Sequence, residues 1–209
     1  MMLKGKTALI TGSVIGIGNA TARAFAAQGC NVMLNGFGDA DAIEMTRQGL
    51  ADEHGVSVAY CSSDLSKEDE VDSLTKEAED AFGGIDILIN NAVIRYFHGI
   101  DDFPREEWNH ALAVNVTAPF ILTQNVLPGM RARKWGRIVN FSSVLGMAAR
   151  SGRADYVVSK HAMLGLTRST AAEIRDCLAR GVLATVLHFE GAEAIDTDFR
   201  SLEGLYQAG

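Results

Sequence analysis

Short apolar runs and longer half-polar segments alternate along this chain. TALI (7–10), NVML (31–34), SVAY (57–60), DILI (86–89), RIVNF (137–141) and LATVLHF (183–189) suit strands buried on both faces. Between them, segments 17–28, 40–54, 68–82, 106–133 and 154–178 carry apolar residues at helical spacing and predict helices. Asp64-Leu-Ser66 followed by KEDEV reads as a helix start, with acids in the first turn where the helix dipole favours them. Gly83-Gly84 supplies the stop. Strands alternating with helices imply right-handed βαβ crossovers, and so an α/β fold with a doubly wound, Rossmann-type parallel sheet. No repeat, low-complexity tract or linker interrupts the pattern, and residues 1–209 read as a single domain.

Composition narrows the classes. Of 209 residues, 47% are apolar and 22% charged, as in ordinary soluble globular proteins. The apolar runs are short and broken, so no membrane-spanning helix is expected, and MMLKGKTALITG reads as a strand rather than a secretory signal. A net charge of −7 argues against nucleic acid as a partner. Cys30, Cys61 and Cys177 are far apart and form no CxxC, so they read as reduced packing residues of a cytoplasmic protein. No metal ligand set is expected.

TGSVIGIG (11–18) follows the first strand and opens the first helix. Gly12 permits the tight turn, and Gly16 and Gly18 let backbone approach a ligand. Exposed N–H groups at the helix start favour a pyrophosphate. The spacing is GxxxGxG, so the GxGxxG fingerprint fails here. Farther on, Tyr156 and Lys160 lie one helical turn apart on one face, thirteen residues after Ser143. A free phenol has a pKa of about 10 and is a poor base at neutral pH, whereas a neighbouring ammonium favours the phenolate. The same spacing also suits a solvated helix face, and Ser143 at a strand end also suits a cap.

TGxxxGIG, Asn90-Asn91-Ala92 after a strand, Asn115, Ser143 and Tyr156-x-x-x-Lys160, in this order over about residues 4–180, resemble the short-chain dehydrogenase/reductase family. LNGFGDAD (34–41) and DDFPREEW (101–108) look like the bacterial D-3-hydroxybutyrate dehydrogenases within it. The resemblance implies Tyr156 as acid/base, Lys160 as its partner and ribose anchor, Ser143 as binder of the reacting oxygen, and Asn115 as holder of a relay water. It further implies cofactor contacts from Gly12, Ser13, Ile15, Gly16, Ile17, Gly18, Phe37, Asp64, Leu65, Asn90 and Ala92, besides Tyr156 and Lys160. For Asp64 a plain helix cap is an equally open role. NAD is favoured over NADP. Ile15 and Asn35-Gly36-Phe37 stand where a cation for a 2′-phosphate is wanted, although the acid usual in an NAD site is missing too, Asn35 being the nearest polar group.

On the substrate side the resemblance points to Arg95, Ser143, Leu145, Arg153 and Tyr156. Arg95 stands for a glutamine, Leu145 for a histidine, Arg153 for a lysine and Val93 for a glycine near the nicotinamide ribose. Two arginines suit an anionic substrate, since a guanidinium can clamp a carboxylate; each also reads as surface charge. Beyond residue 180 the family pattern fails. Glu190-Gly191 replaces Pro-Gly, Thr197 is displaced, and 181–209 reads as a divergent tail without the usual last strand. A truncated or frame-shifted product, a shortened chain and a natural form all remain open. The expectation is an NAD-dependent secondary alcohol/ketone oxidoreductase acting on a small hydroxy acid such as 3-hydroxybutyrate. A sugar, steroid or 3-oxoacyl thioester as substrate, or an impaired dinucleotide-binding protein, stay as alternatives. A homo-oligomer, a tetramer in the family, is the implied assembly, with no membrane partner.

Overall fold

The computed structural model describes residues 1–178 and 184–190, with side chains through residue 170. Six parallel strands form one sheet: β1 (Thr7–Ile10), β2 (Asn31–Asn35), β3 (Val58–Cys61), β4 (Ile87–Asn90), β5 (Arg137–Ser143) and β6 (Ala184–Glu190). Their order is β3-β2-β1-β4-β5-β6. The chain builds outward from β1 to one edge, then returns to the other side of β1. That reversal opens a crevice beyond the carboxyl ends of β1 and β4, where ligands bind in such sheets.

Helices α1 (Gly16–Ala27), α2 (Ala40–His54), α3 (Glu68–Phe82), α4 (Arg105–Leu112), α5 (Ala118–Arg133) and α6 (Ala154–Leu178) cover the two faces. Successive strand residues point to opposite sides. Leu9, Met33, Leu88 and Ile138 meet Leu74, Leu122, Val126 and Met130 of α3 and α5. Ala8, Ile10, Val32, Leu34, Ile87 and Ile89 instead meet Ala22, Ala26 and Leu50 of α1 and α2. Alternation hidden within apolar runs thus becomes two cores. Helix ends follow their local chemistry: Gly55 and Gly83 close α2 and α3 at φ 65° and 79°.

One predicted helix is interrupted. Segment 106–133 becomes α4 and α5 separated by a π-helical turn, Ala113–Thr117, in which the Ala118 N–H bonds the Ala113 carbonyl five residues back. Pro119 has no N–H to give the Asn115 carbonyl four residues earlier, so regular α geometry cannot close there. The whole run Arg105–Arg133 is apolar enough that an 18-residue window of it reaches a mean hydropathy of 1.2. Leu122, Val126 and Met130 recur every fourth residue and are buried in the core, which accounts for that apolarity.

Cys30 and Cys61 are buried free thiols, and burial pushes the Cys30 thiol up to about 12. Cys177 has no described side chain. Gly191, Thr197 and the expected missing last strand lie outside the described residues.

Candidate active site

The loop after β1 is pressed against the loop after β4. The Thr11 hydroxyl oxygen accepts the N–H groups of Asn91 and Ala92, both at 3.0 Å. In return the Asn91 amide donates to the carbonyls of Thr11 (2.9 Å) and Gly12 (3.0 Å). Gly12 and Gly16 both have φ 61°, which favours glycine. A Cβ at Gly18 would fall 2.2 Å from the Gly12 oxygen and 2.6 Å from the Asn91 amide. The missing Gly18 side chain therefore lets the start of α1 pack against the end of β1.

Helix α1 starts with no side-chain cap and no acid in its first turn. Its leading N–H groups and its positive dipole end carry no such compensation, which fits a pyrophosphate. Ile15 and Ile17 are exposed on the same loop. Ser13 is fully buried instead. Its hydroxyl donates to the Ile10 carbonyl (2.7 Å) and accepts the Asn35 N–H (3.0 Å), bracing β1 to β2. The Ser13 hydroxyl is thereby committed to the fold, and only its backbone is left for the expected cofactor contact.

Side chains beyond β2, β3 and β4 are largely committed to the fold as well. Asn35 is buried, and its amide donates to the carbonyls of Cys61 (3.2 Å) and Ser63 (3.1 Å). Asn90, expected near the ribose, is 4% exposed and donates to Asn140 at 2.8 Å, which donates to Thr167 at 2.9 Å. That buried polar chain ties β4 to β5 and α6. The Leu65 side chain sits in the core beside Val71 and Leu74. Asp64 takes both the N–H (2.9 Å) and the hydroxyl (2.8 Å) of Ser66, and the Ser66 N–H leads the causes holding its carboxyl below the usual range. It closes a turn ahead of α3, whose N-cap is Lys67, so Asp64 is not itself the helix cap of the alternative reading. Phe37 is exposed, and Asp39 caps α2 through the Ala42 N–H. Ala92 stays at the crevice, 2.9 Å from where a Gly12 Cβ would stand.

The four candidate catalytic residues converge from three elements. Ser143 ends β5, Tyr156 and Lys160 lie in the first turns of α6, and Asn115 occupies the π-helical turn. All four are buried. The Lys160 ammonium donates to the Phe141 carbonyl at 2.7 Å and lies 5.4 Å from the centre of the Tyr156 ring. The Arg153 guanidinium lies 5.0 Å from the same ring. Both cations thus lie within 5.4 Å of the centre of the one phenol ring. The Ser143 hydroxyl accepts the Leu145 N–H at 3.3 Å, so it caps a short 3₁₀ turn (Val144–Gly146) as well.

The Asn115 amide donates to the Ile94 carbonyl (2.8 Å), and its oxygen accepts the Ile94 N–H (2.9 Å). Close packing also fixes α6 against β5: the Ser142 hydroxyl donates to the Lys160 carbonyl at 2.9 Å, and a Cβ at Gly146 would lie 2.5 Å from the Ser142 hydroxyl. Thr11, Asn140 and Ser159 are supporting residues that sequence reasoning passed over, and Asn91 and Ser142 were given no such role. Polar residues inside otherwise apolar strand ends, as in RIVNFSS, were the available signal.

On the substrate side, Arg153 stacks on Phe97, 4.2 Å from guanidinium carbon to ring centre. A cleft of about 260 Å³ opens there between the Phe97–Gly99 and Arg150–Arg153 segments. Arg150 lines it and was not foreseen; Arg95 is exposed and does not line it. Leu145 is half-buried beside Ser143, and Val93 is half-buried after β4. Among the described residues no cluster of three or more His, Cys, Asp or Glu could hold a metal.

A family model described as short chain dehydrogenase matches residues 6–185. A D-beta-hydroxybutyrate dehydrogenase of Cupriavidus necator is 46% identical over 174 residues, covering 82% of this chain and 66% of that protein. This chain thus spans just under two thirds of that relative. A 3-oxoacyl-[acyl-carrier-protein] reductase of Aquifex aeolicus is 36% identical over 172 residues, 82% of this chain and 69% of that protein. A solved metagenomic short-chain oxidoreductase in complex with NADP superposes with a TM-score of 0.85 at 30% identity, covering 100% of this chain and 93% of that one.

Proposed function

The chain belongs to the short-chain dehydrogenase family, and from that premise we propose that it is an NAD-dependent oxidoreductase interconverting a secondary alcohol and a ketone, with 3-hydroxybutyrate or a similar small hydroxy acid as substrate. The observation that carries this reading is the convergence of Tyr156, Lys160 and Ser143 at the carboxyl end of β5, with Arg153 stacked beside the phenol.

The cofactor, when bound, supplies the hydride acceptor. The uncapped start of α1 and the backbone of the Gly12–Gly18 loop would hold its pyrophosphate. In the oxidation direction, Tyr156 takes the proton of the substrate hydroxyl, and Lys160 and Arg153 stabilise the charge on the phenolic oxygen. The Ser143 hydroxyl orients the reacting oxygen. Asn115 uses its amide on Ile94, so its part is to hold the loop after β4 rather than to hold a relay water by its side chain. Arg153 binds the carboxylate at the cleft. NAD over NADP is supported by Ile15 and Asn35-Gly36-Phe37, which offer no cation to a 2′-phosphate. A cytoplasmic location, expected from the scattered cysteines, and homo-oligomeric assembly, implied by family resemblance, belong to the same reading.

A 3-oxoacyl thioester as substrate is the second reading, favoured by the Aquifex aeolicus relative. A substrate panel decides between them: NAD reduction with 3-hydroxybutyrate but no oxidation of NADPH by an acetoacetyl thioester supports the first, and the reverse supports the second. Tight NADH binding with no turnover would instead identify a dinucleotide-binding protein.

A further inference from the structure

Asp155 is a fully buried carboxylate that the proposed chemistry leaves unused. One oxygen accepts the backbone N–H of Tyr96 at 2.8 Å. The other has no hydrogen-bond partner among the described residues. A buried carboxylate is costly, and here only one N–H and a place in the first turn of α6, where the helix dipole favours an acid, compensate it. A side chain kept at such a cost needs a reason in the fold around it.

That reason lies in the two stripes of α6. Tyr156 and Lys160, four residues apart, carry the proton chemistry. Asp155 and Ser159, also four apart and both fully buried, form the neighbouring stripe. This second stripe faces the segment after β4: Ser159 lies 3.5 Å from the Asn115 amide, Asn115 holds the backbone of Ile94, and Asp155 holds that of Tyr96. Tyr96 is fixed from the other side by its hydroxyl, 2.8 Å from His110 Nδ1 on α4. Its two chain neighbours are Arg95 and Phe97, and Phe97 is the platform on which Arg153 stacks.

We propose that Asp155 is a positioning residue: its bond to the Tyr96 N–H fastens the substrate-side wall, carrying Phe97 and through it Arg153, to the helix that bears Tyr156. The kinetic part of this proposal rests on the oxidoreductase reading; the fastening itself does not. Loss of the acceptor releases the wall, so carboxylate binding suffers while cofactor binding and proton transfer persist. Asparagine keeps an acceptor oxygen at the same place and preserves the link.

The test compares Asp155→Ala and Asp155→Asn with the unaltered chain. Amide hydrogen exchange over residues 94–97 accelerates in Asp155→Ala and stays near the unaltered rate in Asp155→Asn. With 3-hydroxybutyrate, KM rises about tenfold in Asp155→Ala, the scale of one charge-assisted hydrogen bond, with kcat changed less than about threefold and restored KM in Asp155→Asn. NADH affinity, read by fluorescence, stays within about twofold in both. Unchanged exchange in Asp155→Ala overturns the proposal whatever the turnover. Equal loss of NADH affinity and KM in both variants also overturns it, as that is a general folding role. An unaltered chain inactive on every hydroxy acid would refute the oxidoreductase reading, while the exchange arm still decides the fastening.

Discussion

An alanine Cβ at position 18 would stand 2.2 Å from the Gly12 carbonyl oxygen, closer than any real contact of that kind. Helix α1 and the end of β1 touch through that missing side chain. Gly18→Ala is therefore expected to cost about 1–3 kcal/mol by overpacking and to weaken NADH binding, because the loop that cradles the pyrophosphate must shift. Gly49 is the control: it lies inside α2 with nothing within 4 Å of its added Cβ. Gly49→Ala should stabilise by about 0.5–1 kcal/mol with NADH affinity unchanged. Urea denaturation and fluorescence titration of both variants check the pair.

Asn115 holds both backbone groups of Ile94 from a buried position. Asn115→Ala leaves that N–H and carbonyl without this partner, at about 1–3 kcal/mol for each orphaned group. Turnover should fall at least tenfold, since the loop after β4 loses its anchor, while NADH affinity changes little. Stopped-flow turnover together with thermal unfolding separates the two effects; a variant of wild-type stability and rate would contradict the role.

How far could such roles be read from residues alone? The parallel sheet and its crossovers were legible because the apolar runs and helical spacings are clean, and the boundaries of β1 and of α2 and α3 coincide with those expected. The candidate catalytic residues stood out because their order and spacing are distinctive. Direction was not. Ser13, Asn35 and Asn90 are polar groups at strand ends near the crevice, and a linear sequence does not say whether such a group faces a ligand or the neighbouring strand. The structure spends each of them on the fold. The π-helical turn escaped notice for a related reason: Pro119 sits inside an otherwise periodic run, and its effect appears four residues earlier.

Arg153 contacts the cleft and the phenol together, so its loss has a graded signature. Arg153→Met keeps an apolar stem against Phe97 and removes the charge. KM for a hydroxy acid should rise roughly ten- to a hundredfold, while KM for a neutral secondary alcohol stays nearly constant, and Arg153→Lys should recover part of the loss. Arg95→Met, at an exposed residue outside the cleft, should change KM by less. Steady-state kinetics on a charged and an uncharged substrate provide the comparison.

The Asp64 carboxyl is held below its ordinary value, first by the Ser66 N–H, then by its hydroxyl and by Lys67. The unfolded chain then binds more protons than the folded one between the two values. Stability from this group is fully present above the unfolded value near about 3.9 and is lost as pH falls through the lower folded value. The difference in unfolding free energy between the unaltered chain and Asp64→Ala should thus be largest at neutral pH and shrink between about pH 5 and pH 3. Urea unfolding at those pH values measures it; a difference independent of pH would show that the charge is immaterial.

The central claim is that Tyr156 moves the substrate proton. The direct measurement is NAD reduction by 3-hydroxybutyrate in the unaltered chain and in Tyr156→Phe, with NADH affinity titrated in both. Turnover is expected in the first, a loss of at least about a thousandfold in the second, and NADH affinities within a few fold of each other. Turnover of Tyr156→Phe at the unaltered rate would contradict it.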